Sequence, residues 1–189
     1  MEKVKVEITL GKGALLPAYG SEFAAGCDVH ANLEGLGREE LEKRIKGKSV
    51  ITTGRGEGDK DKLAVLLRSG DRFLFPTGLA VAVPDGYELQ VRPRSGLALK
   101  QGITVLNTPG TIDSDYRGEV GVILMNNSDK GVLIEDGERI AQLILTPVVH
   151  ADFKVVKELN KTTRGTGGFG STGTKATTLP PSQTKPKKE

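Results

Sequence analysis

The chain has 189 residues, 37% of them apolar, enough for one modest hydrophobic core and hence a single domain. It holds no run of about eighteen apolar residues, which excludes a membrane-spanning helix, and its single cysteine, Cys27, excludes an internal disulfide framework and a cysteine metal cluster. The formal charge of +3 resides in residues 175–189, where four lysines face one glutamate; the rest carries 23 basic and 23 acidic residues, so overall basicity implies no nucleic-acid partner.

Taken in chain order, the strand signal dominates. Met1 to Leu10 alternates charged and apolar residues, with Val4, Val6, Ile8 and Leu10 on one side, and lacks the apolar stretch of a signal peptide. With one thiol and no leader, the expected location is cytoplasmic. The segment 33–62 differs. Arg38–Lys46 has helix-spaced ion pairs (Glu39/Lys43, Glu40/Arg44, Glu42/Lys46) and a thin Leu41/Ile45 stripe, followed by a polar, glycine-rich run to Lys62. This reads as an inserted lobe or mobile loop that is free to contact a partner. Short β-rich runs follow at 63–67, 78–83, 87–92, 103–106, 119–125, 131–134 and 139–146, separated by glycine, proline and Asn/Asp turns. Such a series reads as an all-β sandwich, barrel or jelly roll with short helical pieces. Residues 174–189 are nearly devoid of apolar side chains and rich in proline, and are expected to form a disordered basic tail.

Five segments place glycine beside polar or ionisable residues. In Arg164–Gly173 the glycines let successive N–H groups converge on an anion. Ser171 and Thr172 add hydroxyl donors, Arg164 adds charge, and Phe169 offers a ring for stacking on a base; the same composition also suits a flexible linker. Asp113 and Asp115 are two apart, so on an extended strand they face one side, one as general base; alternatively they cap a turn. Arg94-Ser95-Gly96 either caps a short helix or grips phosphate oxygens. Arg139 with Gln142 suits an exposed strand edge, Asp28 after Gly26 suits a turn, and His30 and His150 lack metal-ligand spacing.

Taken together, AGCDVHA, PRSGLALK, GTIDSDYRGEV, ERIAQLI and RGTGGFGSTG resemble, in order and spacing, the five motifs of the homotrimeric dUTPase family, over about 1–31 and 64–173. The resemblance implies a jelly-roll-like β-barrel forming a homotrimer, with a catalytic domain over 1–173 whose arm, 164–173, is mobile and glycine-rich. It implies hydrolysis of dUTP to dUMP and diphosphate with Mg²⁺, which lowers dUTP and supplies dUMP for thymidylate synthesis. Asp113 would be the base that activates the water attacking the α-phosphorus. Asn107 and the backbone at Gly110 would hold the uracil edge, and Tyr116 would lie under the deoxyribose. Arg94, Ser95 and Gly96 would contact phosphates, Gln142 would position water or phosphate, and Asp28 would steady Mg²⁺ through its water shell. Arg164, Phe169, Gly170, Ser171 and Thr172 would close over the nucleotide. Two departures stand out: the insert 33–62, and Cys27 with Val29-His30 in place of the usual aromatic and leucine flavour of the first motif. The rival readings are a dCTP deaminase of the same fold and a non-catalytic nucleotide sensor or protein-binding module.

Overall fold

The computed structural model describes residues 3–45, 49–53 and 62–171. They form two compact units, Met1–His150 and Ala151–Glu189. Among the described residues no helix is long and apolar enough to cross a membrane.

The first unit is built on antiparallel sheets. Strands β1 (Glu7–Leu10), β6 (Arg72–Ala82), β10 (Glu119–Asn126) and β8 (Ile103–Val105) form one, in the order β1-β6-β10-β8. Strands β2 (Ala18–Tyr19), β3 (Cys27–His30), β12 (Arg139–Pro147), β7 (Tyr87–Arg92) and β9 (Gly110–Ile112) form a second, in the order β2-β3-β12-β7-β9. A third sheet runs β11-β5-β4, from Val132–Glu135, Lys62–Leu67 and Ser49–Thr53. Period-two patterning dictates which side is buried. In β10, Val120, Val122 and Leu124 point into the core beside Phe73, Phe75, Leu79 and Val81 of β6, while the second sheet contributes Val29, Leu89, Val91, Ala141 and Leu143. The Phe73 and Phe75 rings meet edge-to-face at 5.0 Å between centroids.

Strand β6 is longer than its sequence promises, because Pro76-Thr77-Gly78 reads as a break. The break is bridged from outside. Glu119 Oε1 accepts the N–H groups of Thr77 and Gly78 at 3.1 and 2.8 Å, supplying the acceptor that the shifted register between Glu119 and Gly121 takes away.

The segment 33–62 carries α1 (Leu33–Leu36), α2 (Arg38–Ile45) and β4. Leu33, Leu41 and Ile45 are buried in the same core as the sheets, and β4 pairs with β5. On the outer side of α2 the pairs Lys43–Glu39 and Arg44–Glu40 close at 3.0 Å, joined by Arg38–Glu42 at 3.4 Å. Lys46, the partner expected for Glu42, lies outside the described residues. Screening keeps such exposed pairs to a few tenths of a kcal/mol, about 0.3–0.5 each, so the apolar stripe is what secures this short helix.

Within the second unit, residues 151–171 show turns and no regular element. The turns are closed by Gly165 N–H to Thr162 O, Gly167 N–H to Arg164 O and Ser171 N–H to Gly168 O.

Candidate active site

The candidate residues of the first unit fall into two groups. The first lies on the face of the second sheet turned away from the core. Asp28 on β3, Gln142 on β12 and Arg92 on β7 stand at one register level, so their side chains share that face. Arg139 is three residues from Gln142, and in a regular strand the two would point to opposite sides. They do not. The register slips at Ile140, so that Arg139 pairs with His30 and Ala141 with Val29. Ile140 and Ala141 are consequently both buried, and Arg139 is turned onto the face of Asp28 and Gln142.

Asp28 is 7% exposed and would be costly to bury as a lone anion. Its Oδ1 accepts Arg94 Nε at 3.0 Å, and its Oδ2 accepts Arg139 Nη1 at 3.0 Å. Arg94 also donates Nη1–H to the Arg139 carbonyl at 3.1 Å. Arg94 occupies the N-cap position of α3 (Ser95–Gln101), yet its side chain makes no capping bond; it reaches Asp28 instead. Ser95 and Gly96 open that helix and are exposed, with open space beside Gly96. A guanidinium has five N–H donors, and the two bonds drawn from Arg94 leave the rest of its fork for an anion.

Cys27 and His30 flank Asp28. Burial pushes the Cys27 thiol up, and its Sγ lies 3.6 Å from the Leu143 carbonyl. Burial pushes the His30 imidazole down; the Asp28 charge opposes that shift while Arg139 and Arg94 add to it, and Nδ1 has no hydrogen-bond partner.

The second group is the segment from Asn107 to Glu119. Gly110 on β9 is buried, and a Cβ there would stand 3.2 Å from Asn107 Nδ2 and 3.3 Å from Val91 Cβ; the missing side chain lets the amide pack against the strand. Of the two readings open for Asp113 and Asp115, an extended strand or a turn, the structure shows the turn. Strand β9 ends at Ile112, and Tyr116 N–H turns back to the Asp113 carbonyl at 3.2 Å. Arg117 then ties the turn by donating to the carbonyls of Ser114 and Tyr116 at 2.6 and 2.8 Å. Tyr116 Oη donates to the Glu119 carbonyl at 3.0 Å, and the hydroxyl lies over Gly118, where a Cβ would displace it. Asp113, Ser114 and Asp115 open into a cleft of about 900 Å³ lined also by Tyr87, Thr111 and His150. Asp113, Asn107 and Tyr116 are exposed.

The remaining residues singled out in the sequence lie in the second unit. Arg164 donates Nε–H to the Gly167 carbonyl at 2.8 Å, and Phe169 is fully exposed with a left-handed φ of 45°. Gly170 and Ser171 are exposed, and Thr172 lies outside the described residues. Sequence reasoning passed over Arg139 as a site residue. Its signal was the odd spacing to Gln142, which makes sense only with a bulge. Among the described residues no three His, Cys, Asp or Glu side chains gather to hold a metal.

An antiparallel all-β unit thus carries a guanidinium-held carboxylate on one sheet and an acidic cleft beside a turn, groups with the chemistry to bind an anion and to take up a proton. The dUTPase family model matches residues 62–173. The chain is 46% identical to the deoxyuridine 5'-triphosphate nucleotidohydrolase of Fusobacterium nucleatum subsp. nucleatum, across 92% of this chain and 99% of that one. It is 50% identical to the Chlamydia pneumoniae enzyme of the same name, across 87% and 94%. In fold it is similar to a mutant of the dUTPase of Staphylococcus bacteriophage 80alpha solved with dUpNHpp, with a TM-score of 0.66 at 22% identity, covering 91% of this chain and all of that one. The dUTPase of phage phi11 of S. aureus, in which a structural Mg(II) ion is coordinated, superposes with a TM-score of 0.61 at 19% identity, covering 84% of this chain and 100% of that one. The chain belongs to the dUTPase family.

Proposed function

We propose that the protein hydrolyses dUTP to dUMP and diphosphate, with Asp113 as the general base. The observation that carries this reading is the turn that sets Asp113 in the wall of the cleft, with Asn107 and Tyr116 exposed on the same segment. Asp113 takes a proton from water, the water oxygen bonds to the α-phosphorus, and the bond from that phosphorus to the bridging oxygen breaks to release diphosphate. Asn107 and the backbone at Gly110 hold the uracil edge. Tyr116 lies under the deoxyribose, where a 2′-hydroxyl has no room. Arg94, with donors to spare, takes the phosphates together with Ser95 and Gly96; Gln142, on the same sheet face as Asp28, orients water or phosphate.

The residues present fit magnesium held by substrate phosphates and water. Each Asp28 oxygen accepts one guanidinium bond and keeps a further acceptor direction for a metal-bound water, which suits an outer-sphere role. With Asp28 steadying its water shell, a bound ion would neutralise phosphate charge. Arg164, Phe169, Gly170, Ser171 and Thr172 close over the nucleotide.

The working form is a homotrimer. In support, Val149, Phe153, Val155 and Leu159 are each at least 85% exposed in the single chain, an apolar run that a lone subunit has no reason to display.

The test is diphosphate release from dUTP, dCTP, dTTP and UTP with Mg²⁺. A pocket that hydrogen-bonds uracil rejects the other bases by roughly 10⁴-fold or more, because its own groups are left unpaired. Ammonia from dCTP, or no turnover of dUTP by assembled protein, would refute the reading.

A further inference from the structure

One carboxylate joins the insert to the phosphate end of the site. Asp136, half-buried in the turn between β11 and β12, accepts the N–H groups of Leu33 and Glu34 on its Oδ1 at 2.6 and 2.9 Å. These are donors of the first turn of α1, which have no partner within the helix. The N–H of Asp136 donates to the Leu63 carbonyl at 2.8 Å, and Glu34 Oε1 accepts the Leu63 N–H at 3.1 Å. The start of the insert, the strand at its end and the β11–β12 turn are thereby closed into one ring.

The ring leads directly to the bulge. Gly137 N–H donates to the Ala31 carbonyl at 2.8 Å and Ala31 N–H to the Glu138 carbonyl at 2.9 Å, which fixes the turn on both sides of β3's exit. The next residue is Arg139, whose carbonyl and guanidinium hold Arg94 and Asp28 respectively. A bulge is a place where a strand can slip by one residue, and here a slip would turn Arg139 away from Asp28.

We propose that Asp136 is a positioning residue for the phosphate end of the site: it pins the strand entering the bulge to α1, so that Arg139 and through it Arg94 are held for the triphosphate. The insert is then a brace of the active site. This rests on the reading of Arg94 as a phosphate contact.

The experiment is a double-mutant cycle on the full chain, following diphosphate release from dUTP with Mg²⁺ and checking assembly and melting of every variant. Asp136→Ala raises KM about tenfold with a smaller change in kcat, the size usual for removing a group that orients a contacting residue. Asp136→Asn keeps the acceptor oxygen and restores KM to within about twofold of the parent. In Arg94→Ala, adding Asp136→Ala changes KM no further, since the two act in series. If the two effects multiply, or if Asp136→Ala melts lower with unchanged KM, Asp136 is merely structural and the inference is overturned. If Arg94→Ala alone leaves KM and kcat untouched, the reading of Arg94 fails and takes the inference with it. Should Asp136→Ala not assemble, Asp136→Ser, with a shorter oxygen acceptor, carries the same cycle to the same two outcomes.

Discussion

The two halves of the candidate site are built on opposite plans. Around Asp28 a buried carboxylate, two guanidiniums, a carbonyl and a strand ladder determine one another, so Asp28, Arg94 and Arg139 are each fixed by the protein itself. From Asp113 to Gly118 an exposed turn is held mostly by the Arg117 and Tyr116 side chains bonding backbone carbonyls, and among the described residues no hydrogen bond is drawn to the side chains of Asp113 or Asn107. The difference teaches where binding and where chemistry belong. A group that grips phosphate gains from being fixed beforehand. A base that must take a proton from water gains from staying open to it.

That contrast can be broken or sharpened by substitution. The largest effect is expected at the open half. Asp113→Asn removes the base while preserving shape, and turnover falls by roughly 10²–10⁴-fold with nucleotide affinity largely kept. Diphosphate release paired with calorimetric titration of a non-hydrolysable analogue checks it; retention of most turnover would remove Asp113 from the mechanism. At the closed half the expected effect is on stability as well as on binding. Asp28→Ala leaves two guanidiniums facing each other without their shared anion, a loss of about 3 kcal/mol. Urea unfolding at fixed protein concentration measures it, and an unchanged midpoint would mean that the cluster is not what holds β3 to β12.

The smallest effect tests the electrostatics at the edge of the closed half. Burial pushes the Glu138 carboxyl above its ordinary range; the nearby Glu135 charge acts in the same direction, while the hydrogen bond from Glu135 N–H and the Arg94 charge oppose it. The folded protein therefore binds that proton more tightly than the unfolded chain, and stability falls as pH rises from the unfolded value through the folded one. Glu138→Gln abolishes this penalty. The variant should melt slightly above the parent at about pH 8, and the advantage should vanish below about pH 4, where both states are protonated. A gain that persists into acid would point to packing instead.

Much of this was legible in the sequence. Alternation located β7 within its observed bounds, and β-rich runs bounded by turn residues placed most of β5, β10, β11 and β12; the run at β5 has no alternation because Leu63, Ala64 and Val65 are all buried. Strands β2 and β9 are too short to show a period, and β3 is only four residues long, so pattern reading found glycine-flanked polar residues there and nothing more. The first half of β6 was hidden by Pro76 and Gly78, since the acceptor that carries the strand across them, Glu119, is distant in sequence. Helix α2 was readable from Leu41 and Ile45 together with its ion pairs. That its apolar stripe joins the main core was not, because burial is a property of what lies opposite. At the site, residue types were visible and their grouping was not. Asp113 and Asp115 share a cleft through a turn, and the pairing of Asp28 with both Arg94 and Arg139 depends on contacts far apart in the chain.

The slip at Ile140 makes an irregularity of β12 a functional quantity, since it alone lets two polar side chains three apart share one face. Side chains along that strand can be exchanged one at a time and the damage stays local. A ladder of the same length with the slip ironed out would turn either Arg139 or Gln142 into the hydrophobic interior, so a strand of more regular geometry would make a poorer enzyme.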